Sequence, residues 1–293
     1  MSSITRRPYS CLVDFKKVYD FMVEIYEVDR RNGKPATAFE YSQLLYWTDH
    51  TQDHRNAVWE DNEKIVGLCW YDSQIGEAYF NLMPGYEIII PDMIAYSQKR
   101  LSKEDGDLQL NIYKGQEKII EEAQKQGFQL VSEYQEGIYD FSKNKLNYVL
   151  PSGYHFKPLA ECDRRELQNA TWRGFNNTGD SEGGVETVYR FDAAPHRTPE
   201  LDVVIASDAG EYVCYAMMWL VPENRLAYLE PFCTVPEHRR KGLAAAALTE
   251  LVRRTKPLGA THMTGGGNEF YFKVGYDPIV TLTTWEKPNL KQV

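Results

Sequence analysis

Between Tyr9 and Arg30 the apolar residues Phe15, Val18, Tyr19, Phe21, Met22 and Ile25 recur at intervals of three and four, the spacing of one buried helix face. Asn32-Gly33-Lys34-Pro35 ends that run. A second helical stretch is expected near 38–48. Residues 56–71, NAVWEDNEKIVGLCWY, place two apolar strand segments on either side of Glu60-Asp61-Asn62-Glu63, the pattern of a hairpin. A strand near 78–82, a helix over 91–101, a strand over 108–113, a helix over 116–126 and a strand over 129–139 complete an α/β half.

The order then repeats. A strand is expected near 154–158, a helix over 163–175, a hairpin over 203–221 turning at 207–211, and a strand over 226–234. A helix over 242–256, a strand at 261–264, a short helix over 269–274 and a strand near 279–285 follow. The two halves share only pattern: strand, polar turn and strand, then a further strand, a proline and a helix. They read as diverged copies of one unit. Leu150-Pro151-Ser152-Gly153 follows the polar FSKNKLN stretch, and the domains are assigned to residues 1–145 and 146–293.

At 293 residues the chain is long enough for two such units, each with its own core. Thirty-three Lys and Arg against 42 Asp and Glu leave a formal charge of -9, with 43% hydrophobic and 26% charged residues. Those are globular proportions. The acidic balance gives no general attraction to nucleic acid or anionic lipid, mildly favours a cationic substrate, and leaves room for a local basic pocket. Cys11, Cys69, Cys162, Cys214 and Cys233 are scattered without CxxC spacing, which fits a reducing compartment better than a disulfide framework. With no signal-like block and no apolar run near the roughly 18 residues that cross a bilayer, the expected location is cytoplasmic, without a membrane partner. The expected oligomeric state is monomer or homodimer.

The sharpest local feature is the strand ending at Cys233-Thr234-Val235, followed by Pro236-Glu237-His238-Arg239-Arg240-Lys241-Gly242-Leu243-Ala244 and a strong helix former. Gly242 and Ala244 leave little side-chain bulk over the first helical turn. Unpaired N–H groups there, with Arg239, Arg240 and Lys241 alongside, suit a phosphate or pyrophosphate; an exposed basic turn before a well-packed helix is the plainer alternative. GxxxxGK[ST] is absent, and Thr264-Gly265-Gly266-Gly267-Asn268 lacks the Lys and hydroxyl of a nucleotide-phosphate loop. No GxGxxG follows a strand, so a dinucleotide fold is disfavoured.

Arg239-Arg240-Lys241-Gly242-Leu243-Ala244 resembles the (Gln/Arg)-x-x-Gly-x-(Gly/Ala) pyrophosphate loop of the GNAT superfamily of acyl-CoA N-acyltransferases. One helix and one strand later, Asn268-Glu269-Phe270-Tyr271-Phe272-Lys273-Val274-Gly275-Tyr276 is similar to that family's Asn followed by Tyr-x-Lys-x-Gly-(Phe/Tyr). The resemblance is specific over 203–285, extends by element order to 152–293, and is a degenerate echo over 1–141. It implies two tandem GNAT-like α/β domains, each a mixed, mostly antiparallel sheet flanked by helices, with acetyl-CoA as cosubstrate.

The resemblance also assigns roles. Tyr271 matches the tyrosine that protonates the leaving coenzyme A sulfur, a task open to a neutral phenol; an ordinary packed aromatic is the alternative. Cys233, Thr234 and Val235 lie where the family's strand contacts the acyl carbonyl and pantetheine. Glu230 is a candidate base, a selector of cationic acceptors, or an inward structural residue. Asn268 and Lys273 fall in the second motif, and Asn268 also suits a helix cap. Cys233 as a covalent nucleophile lacks a pairable His or acid, so direct transfer in a ternary complex is expected. The acceptor is expected to be the primary amine of a small or cationic molecule, or of a peptide. A non-catalytic acyl-CoA-binding module is the alternative, and a tandem ligase acylating an amino sugar is a third reading.

In the first half, aligning Met83-Pro84-Gly85-Tyr86 with Val235-Pro236-Glu237-His238 puts Glu87 at the place of Arg239 and Ile90 at that of Gly242, while Ala123 stands where the tyrosine would be. An inactive scaffold is expected. His50 and His54 lie four apart but lack the Glu of HExxH, and no metal site is read there. The six Trp are dispersed, unlike a nucleic-acid stacking surface.

Overall fold

A computed structural model describes residues 4–288. In chain order the elements are β1 (Thr5–Pro8), α1 (Cys11–Glu24), α2 (Ala36–Ser42), β2 (Ala57–Asp61), β3 (Lys64–Trp70), β4 (Glu77–Leu82), α3 (Ile90–Arg100), β5 (Gln109–Tyr113) and α4 (Glu117–Lys125). They continue with β6 (Gln129–Asp140), β7 (Tyr154–Lys157), α5 (Arg164–Gly174), α6 (Glu186–Asp192), β8 (Val203–Ser207), β9 (Tyr212–Val221) and β10 (Leu226–Thr234). The last are α7 (Leu243–Thr255), β11 (His262–Thr264), α8 (Glu269–Lys273) and β12 (Asp277–Glu286). Two compact units emerge, Met1–Glu136 with Pro278–Val293, and Gly137–Asp277.

In the first unit the strand order is β1-β2-β3-β4-β5-β12, antiparallel except for the parallel pair β4/β5. Alternation along β3, reset by one residue at the bulge where Trp59 pairs with Gly67 and Glu60 with Ile65, gives it two covered faces. Ile65, Leu68 and Trp70 join the layer of α1 and α2 with Val18, Met22 and Phe39, while Val66 and Cys69 join that of α3 and α4 with Met93, Ile94 and Ile119. The second unit has the same plan. Its order is β7-β8-β9-β10-β11 and then the end of β6, again with one parallel pair, β10/β11. The small residues of α7 bring it close to the sheet: Leu243, Ala247, Leu248 and Leu251 pack with Val203, Met218, Ala227 and Met263.

Each sheet takes its last strand from the other half of the sequence. Ile138–Asp140 of β6 pairs with β11, and Leu282–Trp285 of β12 pairs with β5. A division by sequence order at 145/146 assigns β12 wholly to the second half, whereas by compactness its residues from Pro278 onward lie in the first unit. Two elements escape the hydrophobic pattern. The strand β1 is Thr-Arg-Arg-Pro, with no apolar alternation, and α6 buries only Thr187. Among the described residues no helix is long and apolar enough to cross a membrane.

Candidate active site

The parallel pair β10/β11 holds register at only two positions, Leu226↔His262 and Ala227↔Met263. Beyond them the strands part. The N–H of Leu229, on the diverging edge, donates to Thr264 Oγ1 at 2.8 Å, and a bulge between Leu229 and Phe232 resets β10 against β9. Val235 donates its N–H to Val213 O at 3.0 Å, so the alternation of an extended chain turns the Thr234 N–H to the opposite, unpaired edge.

The turn into α7 gathers more donors. Arg240 and Gly242 have left-handed backbone, φ 60° and 85°, with Lys241 between them outside that region. Alternation of this kind collects successive N–H groups into an anion-binding concavity. Ala246 donates to Gly242 O at 3.0 Å, whereas among the described residues no protein acceptor meets the N–H groups of residues 240–245. Glycine suits position 242 because its φ penalises other residues; a Cβ there would meet only Pro151 Cγ, at 3.9 Å. The α7 dipole adds positive potential there, and Arg253 and Arg254 complement its other end.

These donors border a cavity of about 520 Å³ that also receives Phe232, Cys233, Thr234, Asn268, Phe270 and Tyr271. Tyr271 is buried in an aromatic cluster, its ring 5.1 Å from Tyr276 and 6.3 Å from Phe232. Glycine at 265 makes that packing possible, because a Cβ there would come within 2.6 Å of the Tyr271 ring and 2.5 Å of the Tyr276 ring. Asn268 caps α8, its Oδ1 accepting the Phe270 N–H at 3.1 Å, while also bordering the cavity. Burial pushes the Cys233 thiol well up, so it is held as a thiol.

Several expected residues take other places. Arg239 borders the cavity, but its guanidinium donates to Thr234 O at 2.9 Å and Gly174 O at 2.8 Å, tying β10 to the end of α5. Arg240, Gly242, Leu243 and Ala244 line the cavity; Lys241 is exposed beside it and Val235 is buried behind it. Lys273 is exposed and paired with Glu269 at 2.8 Å, and neither it nor Glu230 belongs to the lining. Glu230 O accepts the Trp219 Nε1–H at 3.0 Å. The reading by motif did not include Phe175, Asn176, Phe232, His238, Ala245 or Phe270. Adjacency to the two motifs was a signal for all but Phe175 and Asn176, which reach the cavity from the end of α5. His238 Nδ1 lies 2.9 Å from Tyr154 Oη.

The acetyltransferase (GNAT) family model matches residues 164–271, the segment that builds this cavity. The chain resembles a tandem GNAT-fold acetyltransferase. Its C-terminal region carries the GNAT sequence pattern, and its N-terminal half is similar in fold alone. A tandem GNAT protein from the clavulanic acid biosynthesis pathway superposes with a TM-score of 0.62 at 13% identity, over 98% of this chain and 100% of that one. A GNAT-family acetyltransferase from Colwellia psychrerythraea gives 0.62 at 12% identity, over 97% and 100%. A GCN5-related N-acetyltransferase from Sphaerobacter thermophilus gives 0.59 at 13% identity, over 97% and 95%. No curated protein matches the sequence. At such identities the likeness concerns the fold alone.

Proposed function

We propose that this protein is an N-acetyltransferase that passes the acetyl group of acetyl-CoA directly to a primary amine on a small or cationic acceptor. One observation carries the reading: the unpaired N–H groups of residues 240–245 border the same cavity as Tyr271. Those N–H groups suit a pyrophosphate, with the exposed Arg240 and Lys241 adding charge. The Thr234 N–H, on the unpaired edge of β10, is suited to polarise the acyl carbonyl.

Bound acetyl-CoA supplies the thioester. The neutral amine attacks its carbonyl carbon, a C–N bond forms, and the C–S bond breaks. The departing sulfur takes its proton from the Tyr271 hydroxyl, and the new ammonium loses a proton through water. Glu230 stands on β10 outside the cavity lining and is assigned to that water-mediated proton removal; a Glu230→Gln variant with an unchanged pH–rate profile removes it from the mechanism. The burial of Cys233 as a neutral thiol supports direct transfer over an acyl-cysteine intermediate.

The test is release of free thiol from acetyl-CoA across a panel of primary amines, beside acetyl-CoA binding measured alone. Amine-dependent release is expected. Binding without release from any amine contradicts the enzyme reading and leaves an acyl-CoA-binding module, and absence of binding removes the anion cradle itself.

A further inference from the structure

Helices α5 and α7 each run between two cavities. From its cap at Gly242 beside the cavity described above, α7 extends to Arg253 and Arg254 in the wall of another, of about 810 Å³; α5 starts in that same wall at Arg164 and ends at Gly174 beside the first. The second cavity has an apolar surface formed by Phe156, Pro158, Leu159, Ala160 and Pro199.

Its charged groups are unevenly satisfied. Asp202 is saturated: Oδ1 accepts from Arg197 Nη1 at 2.9 Å and from the Met218 N–H at 3.0 Å, and Oδ2 accepts from Tyr215 Oη at 2.6 Å and from Arg197 Nη2. Asp192 is held by Arg164 Nη2, and Glu200 is exposed to water. The cations keep donors in reserve. Arg164 Nη1 is buried without a partner. Arg254 uses Nε on Glu250 and Nη1 on Asp202 O, and among the described residues nothing engages its Nη2. Arg253 gives Nε and Nη2 to Glu250, leaving Nη1, and Lys157 Nζ lies 5.3 Å from the Tyr212 ring centre with no carboxylate partner among the described residues. Unused cationic donors beside an apolar surface define a complementary ligand.

We propose that this cavity is a second binding site, for an oxoanion carried on a small apolar body: a carboxylate or a phosphate monoester. The site is separate from the cradle at Gly242 and does not depend on the acyltransfer reading. To test it, the full chain is titrated by calorimetry with hexanoate, hexyl phosphate and the neutral hexanol. At least one anion is expected to saturate, and to bind about tenfold more tightly than hexanol. Two variants separate the causes, and in the second Glu250 keeps its Arg254 partner. Ala160→Trp, which fills the apolar surface, and Lys157→Gln/Arg253→Gln, which removes two cations, are each expected to weaken that binding about tenfold. Gly242→Val is expected to leave it unchanged. Absence of saturation by both anions, equal binding of hexanol, binding that survives both variants, or loss only in Gly242→Val would each overturn the proposal.

Discussion

The two units share a strand order, yet the same place in each is finished in opposite ways. After β10 the chain offers unpaired N–H groups, while after β4 it consumes them. The Gly85 N–H donates at 3.1 Å to the carboxylate of Glu87, the residue at the place of Arg239, and Ile90 and Pro91 open α3 where Gly242 and Leu243 open α7. Proline has no N–H to give. The wedge between β4 and β5 is stitched shut: Gln116 Nε2 donates to Phe80 O at 2.9 Å while its Oε1 accepts the Tyr113 N–H at 3.1 Å, and the Leu82 N–H reaches Asn32 O at 3.0 Å. A cavity of about 190 Å³ lies beside that turn, against about 520 Å³ in the second unit. Ala123, at the place of Tyr271, is fully buried. The same strand order thus leaves donors open in one unit and supplies them with internal acceptors in the other.

The contrast predicts asymmetric mutants. The largest effect is expected for Tyr271→Phe, with turnover down about a hundred- to a thousandfold and acetyl-CoA affinity nearly unchanged. Steady-state kinetics beside calorimetry check it, and wild-type turnover would reduce Tyr271 to a packing residue. Gly242→Val, which forces a branched residue into the left-handed turn at φ 85° and so disturbs the cradle's backbone, is expected to weaken acetyl-CoA about a hundredfold and to cost about 1–2 kcal/mol of stability. Gly265→Ala, whose methyl meets two tyrosine rings, is expected to destabilise by about 1–3 kcal/mol in denaturant unfolding and to lower turnover by moving Tyr271.

Acid resistance sharpens the comparison, because here the units act alike. Burial opposes ionisation of Asp14, but the Arg7 fork and the Ser10 N–H outweigh it and hold its carboxyl below the usual range. Burial likewise opposes ionisation of Glu250, and Arg253 and Arg254 outweigh it. A depressed carboxylate stabilises the fold above its unfolded pKa, and that contribution is lost as pH falls through the folded value. Asp14→Asn should therefore lower stability at neutral pH and flatten the loss between about pH 5 and 2, as urea melts across that range would show. The smallest effect is expected for Glu87→Gln: stability down by about 0.5–1 kcal/mol from the weakened turn, and acetyl-CoA binding untouched.

In the second unit the sequence made most of the elements legible. The hairpin expected over 203–221 is β8 and β9, turning where the polar residues stand, and the helix expected over 269–274 is α8 at Glu269–Lys273. The turn into α7 was legible because Gly242 and the small residues after it are local requirements. The exchange of β6 and β12 was not, since nothing in the side-chain pattern of either strand names its neighbour. Phe175 and Asn176 reach the cavity only because α5 ends beside β10, a tertiary fact. Arg239 shows the same limit: its charge suggested a phosphate ligand, and its guanidinium instead joins two main-chain carbonyls.

The second unit is expected to hold acetyl-CoA and the first is not. Titration of the full chain with acetyl-CoA by calorimetry tests it directly. One site per chain is expected, lost in Gly242→Val and retained in Glu87→Gln. Two sites per chain, or one site that survives Gly242→Val, would contradict it.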